Sequence, residues 1–187
     1  MKQYTYAVAS PIPEEGLFFK VMCAIENILI SEGIPFERPK LGRHITFIPP
    51  FRATQEDMCW LAAGLEVCHT FFRPGEATTL MSGNKLDFFR NDKDALVIRL
   101  RADKPIRELV GRFRAWIPQT TEWLYPPESY LVNFHATVGE AFGLYRAITE
   151  RGGVAHLVGA INVVQPVMLQ APLLYQKGEQ GWHPVRM

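Results

Sequence analysis

The sequence predicts an α+β fold made of two halves with a similar order of elements. Short β-branched or aromatic runs that stop at Pro, Gly, Asn or Asp alternate with stretches whose apolar residues recur at helical spacing. The order helix, strand, helix, hairpin then occurs twice, with a repeat of roughly 90 residues. We therefore expect two pseudo-symmetric lobes within one bilobal domain that spans residues 1–187. The lobes cover approximately 1–93 and 94–187, and strands can interchange between them.

In the first half, alternation and turn residues define the elements. Residues 4–9 alternate before Pro11, as in a strand that leaves a sheet edge, and Glu14 then opens a helix that Gly33 ends. The apolar positions of that helix follow the spacing of one helical face: Phe18, Val21, Met22, Ile25, Ile28 and Leu29. A strand around His44, a helix capped by Thr54 that reaches about Cys68, and strands at 78–81 and 85–89 follow.

In the second half, the same signals recur with different residues. A polar turn at 90–94 leads into a strand at 95–100, and Pro105 begins an amphipathic helix that stops before Pro118. A strand around His135 follows, and a short helix at 141–150 is closed by Gly152. Strands are expected at 159–169 and 172–176, and a Gly-rich turn leads into a last strand at 182–185.

Two tripeptides of the same form lie near the centres of the two halves. They are His44-Ile45-Thr46 and His135-Ala136-Thr137, each followed by an apolar residue within a predicted strand. Because side chains alternate along a strand, each His and its Thr project from the same face. Each motif therefore offers an imidazole beside a hydroxyl, and two such pairs around one anion would provide two proton-transfer groups and two donors. Half-buried strand histidines are the structural alternative.

The two motifs resemble those of the two-histidine (2H) phosphoesterases, a family that includes bacterial 2′-5′ RNA ligases and 2′,3′-cyclic phosphodiesterases. The segment from His44 to Phe51, with its two prolines, is similar to the first family motif, and His135-Ala136-Thr137-Val138 is similar to the second. The resemblance implies two mainly antiparallel sheets that face each other across a central cleft, with helices outside and one motif from each lobe at the cleft floor. The resemblance covers nearly the whole chain, but it does not indicate which substrate within the family's range the chain acts on.

This resemblance implies metal-independent acid–base catalysis on a 2′,3′-cyclic phosphate or a 2′-5′ linked nucleotide or RNA end, as hydrolysis or reversible ligation. His44 and His135 are the expected catalytic residues, with His135 as base and His44 as acid for hydrolysis, although the symmetry leaves this order open. Thr46 and Thr137 are expected to bind the phosphate. For both imidazoles to contact one phosphate, their ring nitrogens should lie roughly 5–8 Å apart.

Three further residues are candidates for substrate binding. Arg38 and Lys40 precede the first motif and could steer a phosphate, although most basic loop residues are simply solvated. Tyr125 lies in a Pro-rich loop before the second motif and could stack on a base. Two other functions remain open: hydrolysis of a small cyclic-phosphate metabolite of the phosphonate-utilisation type, and a non-catalytic module that binds a phosphorylated ligand or RNA.

Composition restricts the partners that the chain is expected to have. The 187 residues are 48% hydrophobic and 21% charged with a net charge of +1, which is ordinary for a globular protein and offers no overall attraction to a long polyanion. We expect a small phosphoester or an RNA or nucleotide end as ligand and no obligate protein partner. The three cysteines lack metal-ligand spacing, and no nucleotide loop is present, so no metal or other cofactor is expected. Without a signal or membrane-spanning run, the expected location is cytoplasmic.

Overall fold

The structure, a computed structural model, describes residues 2–70, 79–90, 92–102, 104–115, 117, 121–124, 134–153, 155–158 and 166–185. Its helices are α1 (Leu17–Ser31), α2 (Met58–His69), α3 (Lys104–Ala115), α4 (Leu144–Thr149) and α5 (Ala155–Val158). Its strands are β1 (Gln3–Pro11), β2 (His44–Thr54), β3 (Thr79–Arg90), β4 (Asp94–Arg101), β5 (Glu122–Trp123), β6 (His135–Ala141), β7 (Pro166–Met168), β8 (Leu173–Gly178) and β9 (Gly181–Pro184).

All described strand pairs are antiparallel and form one nine-stranded sheet in the order β7-β3-β4-β6-β2-β1-β8-β9, with β5 paired to β2. The α+β class and the antiparallel strands are therefore confirmed. Two groups of strands meet where β2 adjoins β6, and in the described part of the chain the residue pair that joins them is Ile45–Ala136. Strands interchange between the halves of the chain, since β3 lies with β4, β6 and β7, whereas β8 and β9 lie beside β1.

One hydrophobic core connects the sheet to the helices. The buried residues of α1 are Phe18, Met22, Ile25, Glu26 and Leu29, which includes four of the apolar positions that helical spacing predicts. The chain leaves α1 through Gly33, whose φ of 66° lies in the left-handed region that favours glycine. Among the described residues, no helix is long and apolar enough to cross a membrane.

The structure corrects several predicted boundaries. Helix α2 begins at Met58, four residues after the predicted cap, because Thr54 ends β2 and both its backbone N–H and its hydroxyl bond the Asp57 carboxylate. Helix α4 begins at Leu144 because Ala141 still belongs to β6, paired with Asp94. The two segments predicted at 78–81 and 85–89 form one irregular strand, β3, over its described residues. Short β5 and α5 were not predicted.

Gly139 permits close packing of the Phe36 side chain against β6. A Cβ placed on Gly139 would clash with Cδ2 and lie 3.3 Å from Cβ of Phe36, so the whole Phe36 side chain would have to move. We expect Gly139→Ala to lower the free energy of unfolding by about 1–3 kcal/mol through overpacking. Gly111→Ala is the matched control, because a Cβ there meets nothing within 4 Å and alanine favours the surrounding helix α3. Urea denaturation of both variants measures this, and equal stability of the two would contradict it.

Candidate active site

The pairing of β2 with β6 brings the two His-x-Thr motifs together. Ile45 is paired with Ala136, so antiparallel register places Thr46 opposite His135 and His44 opposite Thr137. Each cross-strand pair therefore contains one imidazole and one hydroxyl, and the two histidines occupy diagonal positions. Diagonal positions across an antiparallel pair are about 7–8 Å apart.

Burial along both strands shows which face carries the motifs. Ile45 and Ala136 are 0% exposed and belong to the core, whereas the four His and Thr side chains are partly exposed. Since side chains alternate across a strand, the four polar residues share the face opposite the two buried ones. The alternation inferred from the sequence is therefore present at both motifs.

The loop before β2 orients the His44 ring. His44 Nδ1 lies 2.7 Å from the carbonyl oxygen of Gly42, and because a carbonyl only accepts, Nδ1 carries the hydrogen. In the neutral imidazole, Nε2 then keeps its lone pair. Burial lowers the pKa of His44 below its usual value, and the hydrogen bond to Gly42 opposes this effect. His44 therefore favours the neutral state with Nε2 unprotonated.

His135 has different neighbours, which the sequence alone did not reveal. Its ring meets that of Phe89 edge-on, with the ring centroids 4.5 Å apart. Arg99 lies opposite His135 in the β4–β6 register, its guanidinium carbon is 4.7 Å from the Phe89 ring centroid, and it pairs with Asp87. The sequence predicts strands at 85–89 and 95–100, but it does not show which strand lies beside β6. It therefore gives only a weak signal that Phe89, Arg99 and Asp87 lie near His135.

The three candidate substrate-binding residues outside the motifs are Arg38, Lys40 and Tyr125. Arg38 donates through Nε to the Glu26 carboxylate at 2.9 Å, so it is engaged with helix α1 while remaining 63% exposed. Lys40 is exposed in the same loop. Tyr125 lies outside the described residues. None of the described contacts brings Arg38 or Lys40 to the four motif residues, and their role in steering a phosphate stays a prediction.

Arg43 and Glu26 hold the loop that orients His44. Arg43 Nη2 donates to both Glu26 oxygens at 2.7 Å, its Nε donates at 3.0 Å, and its guanidinium carbon lies 4.3 Å from the Phe19 ring centroid. Glu26 is nearly fully buried, so these hydrogen bonds replace the water contacts that its carboxylate loses. A surface cleft of about 440 Å³ adjoins the loop, is lined by Gly42 and Arg38 among others, and contains none of the four motif residues.

The described part of the chain contains no group of three or more His, Cys, Asp or Glu residues that could hold a metal ion. The candidate site consists instead of two histidines and two threonines, with Arg99, Asp87 and Phe89 on the side of β4. Two imidazoles can accept and donate protons, and two hydroxyls can donate hydrogen bonds to an anion.

Comparison with solved structures identifies the fold. The chain is similar to Kluyveromyces marxianus Usb1 in complex with uridine monophosphate, with a TM-score of 0.56, 12% identity, and coverage of 98% of this chain and 97% of that one. A second Usb1 structure from the same organism gives the same TM-score and identity over 99% and 97% of the two chains. Usb1 has a 2H phosphoesterase-like fold, so the fold implied by the motifs is confirmed. No protein-family model matches the chain, and no curated protein matches its sequence.

The lowered pKa of His44 predicts a pH dependence of stability. The folded state resists protonation of His44, so this contribution to stability is fully present above the unfolded imidazole pKa of about 6.5 and is lost as the pH falls through the lower folded pKa. Urea denaturation at pH 7.5 and pH 5 should show a smaller acid-induced loss for His44→Gln, which keeps a donor for Gly42, than for the wild type. Equal losses in the two proteins would contradict the direction of this shift.

The unequal burial of the two arginines on Glu26 predicts unequal effects on stability. The Arg43 side chain is 16% exposed and that of Glu26 is 2% exposed, so Arg43→Gln removes the main partner of a buried charge and should lower the free energy of unfolding by about 3–5 kcal/mol. Arg38→Gln is the matched control. Its side chain is 63% exposed, and a loss within about 1 kcal/mol is expected. Chemical denaturation compares the two, and a larger loss for Arg38→Gln would overturn this assignment.

Proposed function

We propose that this chain is a metal-independent phosphodiesterase that hydrolyses 2′,3′-cyclic phosphates at nucleotide or RNA ends by two-histidine acid–base catalysis. The observation that carries the proposal is the Ile45–Ala136 pair, which places both histidines and both threonines on one face. A binding module needs donors and positive charge, but it has no need for two imidazoles that accept and donate protons.

The reaction needs one proton removed and one proton supplied. A base takes a proton from water as its oxygen forms a bond to phosphorus, and an acid protonates the ribose oxygen as the P–O bond to it breaks. The product is a phosphomonoester with a free ribose hydroxyl. Diagonal positions about 7–8 Å apart suit one imidazole on the attacking side and the other on the leaving side. Thr46 and Thr137 then donate to the non-bridging oxygens as charge develops there.

The surroundings of the two histidines support an assignment of their roles. Gly42 holds the Nδ1 hydrogen of His44, and its lowered pKa favours the neutral ring with an Nε2 lone pair. A neutral imidazole is the state that a base requires, so we assign His44 as base and His135 as acid for hydrolysis. This order is the reverse of the one that the family resemblance suggests, and the ligation direction would exchange the roles.

A nucleotide is the favoured ligand class. The similar Usb1 structure contains uridine monophosphate, and its fold matches nearly the full length of this chain. A terminal nucleotide of RNA combines a phosphate with the ribose 2′-hydroxyl from which a cyclic phosphate forms. RNA or nucleotide ends therefore fit the proposed chemistry better than a small phosphorylated metabolite without a base.

The proposal predicts turnover of uridine 2′,3′-cyclic phosphate in the presence of EDTA. His44→Ala and His135→Ala should each lower kcat/KM by about 10²–10⁴-fold, because each removes one proton-transfer group. Thr46→Val and Thr137→Val should each lower kcat by about 10²-fold through loss of a hydroxyl donor. The readout is chromatographic separation of the cyclic phosphate from its phosphomonoester product.

The control for these substitutions is His183→Ala, because His183 is exposed in β9 at the far edge of the sheet and should leave turnover unchanged. Activity that appears only after metal is added would reject the mechanism. Tight binding of uridine monophosphate without turnover of any cyclic or 2′-5′ linked substrate would instead identify a binding module.

A further inference from the structure

The two sides of the motif pair differ in charge along the sheet. In the β1 direction, Ala9 lies opposite Thr46 and Pro11 lies opposite His44, so both neighbours are uncharged. In the β4 direction, Arg99 lies opposite His135. Cross-strand partners share a face, so Arg99 extends the row that begins with Thr46 and His135. The site is therefore neutral on one side and carries a guanidinium on the other.

Arg99 is held in place by two neighbours. Its Nε and Nη2 both lie within 3.1 Å of Asp87 Oδ2, and the other oxygen of Asp87 accepts the backbone N–H of Phe88 at 2.8 Å. The guanidinium also lies over the Phe89 ring. Such contacts reduce the side-chain entropy that an arginine loses when it binds a ligand.

The Arg99 guanidinium can donate hydrogen bonds to a further ligand through Nη1. Both of its bonds to Asp87 come from Nε and Nη2, and Nη1 has no partner among the described residues. The side chain is 27% exposed, so solvent and ligands can reach it. Arg101 follows two residues later on the same face of β4, is exposed, and makes no ion pair within the described part of the chain.

We propose that Arg99 forms an anion subsite for the phosphodiester on the 5′ side of the terminal nucleotide, so that the substrate is an oligonucleotide end rather than a free nucleoside cyclic phosphate. This inference rests on the proposed function. A terminal nucleoside 2′,3′-cyclic phosphate is linked to the rest of its strand only through its 5′ oxygen. With the cyclic phosphate at the four motif residues, the strand leaves over β4, where Arg99 meets the next phosphate and Arg101 lies beyond it.

The test compares two substrates that differ only in the preceding nucleotide. These are uridine 2′,3′-cyclic phosphate and the dinucleotide UpU with a terminal 2′,3′-cyclic phosphate. Wild-type kcat/KM should be at least about 10-fold higher for the dinucleotide. Arg99→Gln should remove most of this preference, because it lowers kcat/KM for the dinucleotide by a larger factor than for the mononucleotide. Arg99→Lys, which keeps the charge but loses the planar donor set, should be intermediate.

Arg52→Gln is the matched control. Arg52 also lies on a strand opposite a carboxylate, with Nη1 3.1 Å from Glu122, but it is at the far end of β2 from His44. Its loss should leave the substrate preference unchanged. Higher salt should reduce the wild-type preference more than that of Arg99→Gln, because a phosphate contact releases counterions.

The outcomes separate this inference from the proposed function. Turnover of the mononucleotide with no preference for the dinucleotide, or an equal loss on both substrates in Arg99→Gln, would overturn the subsite and leave the phosphodiesterase intact. Absence of turnover on both substrates would reject the proposed function. In that case calorimetric binding of UpUp and of uridine 3′-monophosphate decides the subsite, since Arg99→Gln should weaken only UpUp, and equal weakening of both would overturn it.

Discussion

The register between β2 and β6 is the constraint on which the site depends. Among the described residues, one pair, Ile45 with Ala136, joins the two groups of strands. Because side chains alternate with a period of two, a slip of one residue in either strand would turn an imidazole into the core and expose an apolar side chain. Both paired residues are fully buried, so the hydrophobic effect opposes that slip. The same burial that joins the halves therefore fixes the face of the candidate site.

The local pattern of the sequence was sufficient to predict the motif face but not its surroundings. The alternation of His44, Ile45 and Thr46 predicts which residues are buried, and the structure has that pattern. Arg99 and Phe89 escaped prediction because their place beside His135 depends on which strand pairs with β6, and such non-local pairing leaves no trace in a short window of sequence. Arg38 shows the same limit, since its contact with Glu26 of helix α1 is also non-local, and its role in phosphate binding stays a prediction.

The first motif also depends on a helix behind the sheet. Arg43 precedes His44, projects to the other face, and reaches the buried Glu26 of α1. Arg43 is adjacent in the chain to Gly42, whose carbonyl accepts the His44 Nδ1 hydrogen, and a φ of 76° places Gly42 in a conformation that glycine adopts without strain. The Arg43–Glu26 ion pair, on the side of the sheet that helix α1 covers, thus supports the loop whose carbonyl keeps the hydrogen on His44 Nδ1. Removing that ion pair would affect both folding and the orientation of the ring.

The two His-x-Thr motifs have the same form, yet their environments are not equivalent. His44 meets a backbone carbonyl, which fixes its hydrogen on one nitrogen, whereas His135 meets an aromatic edge and lies in register with an arginine. Hydrolysis of a cyclic phosphate needs two different proton-transfer roles, so identical surroundings would leave the two histidines interchangeable. The neighbours of each strand therefore break the symmetry that the motifs alone possess. β1 contributes neutral residues on one side, and β4 contributes a guanidinium on the other, which under the proposed function gives the site a direction for a strand of nucleotides.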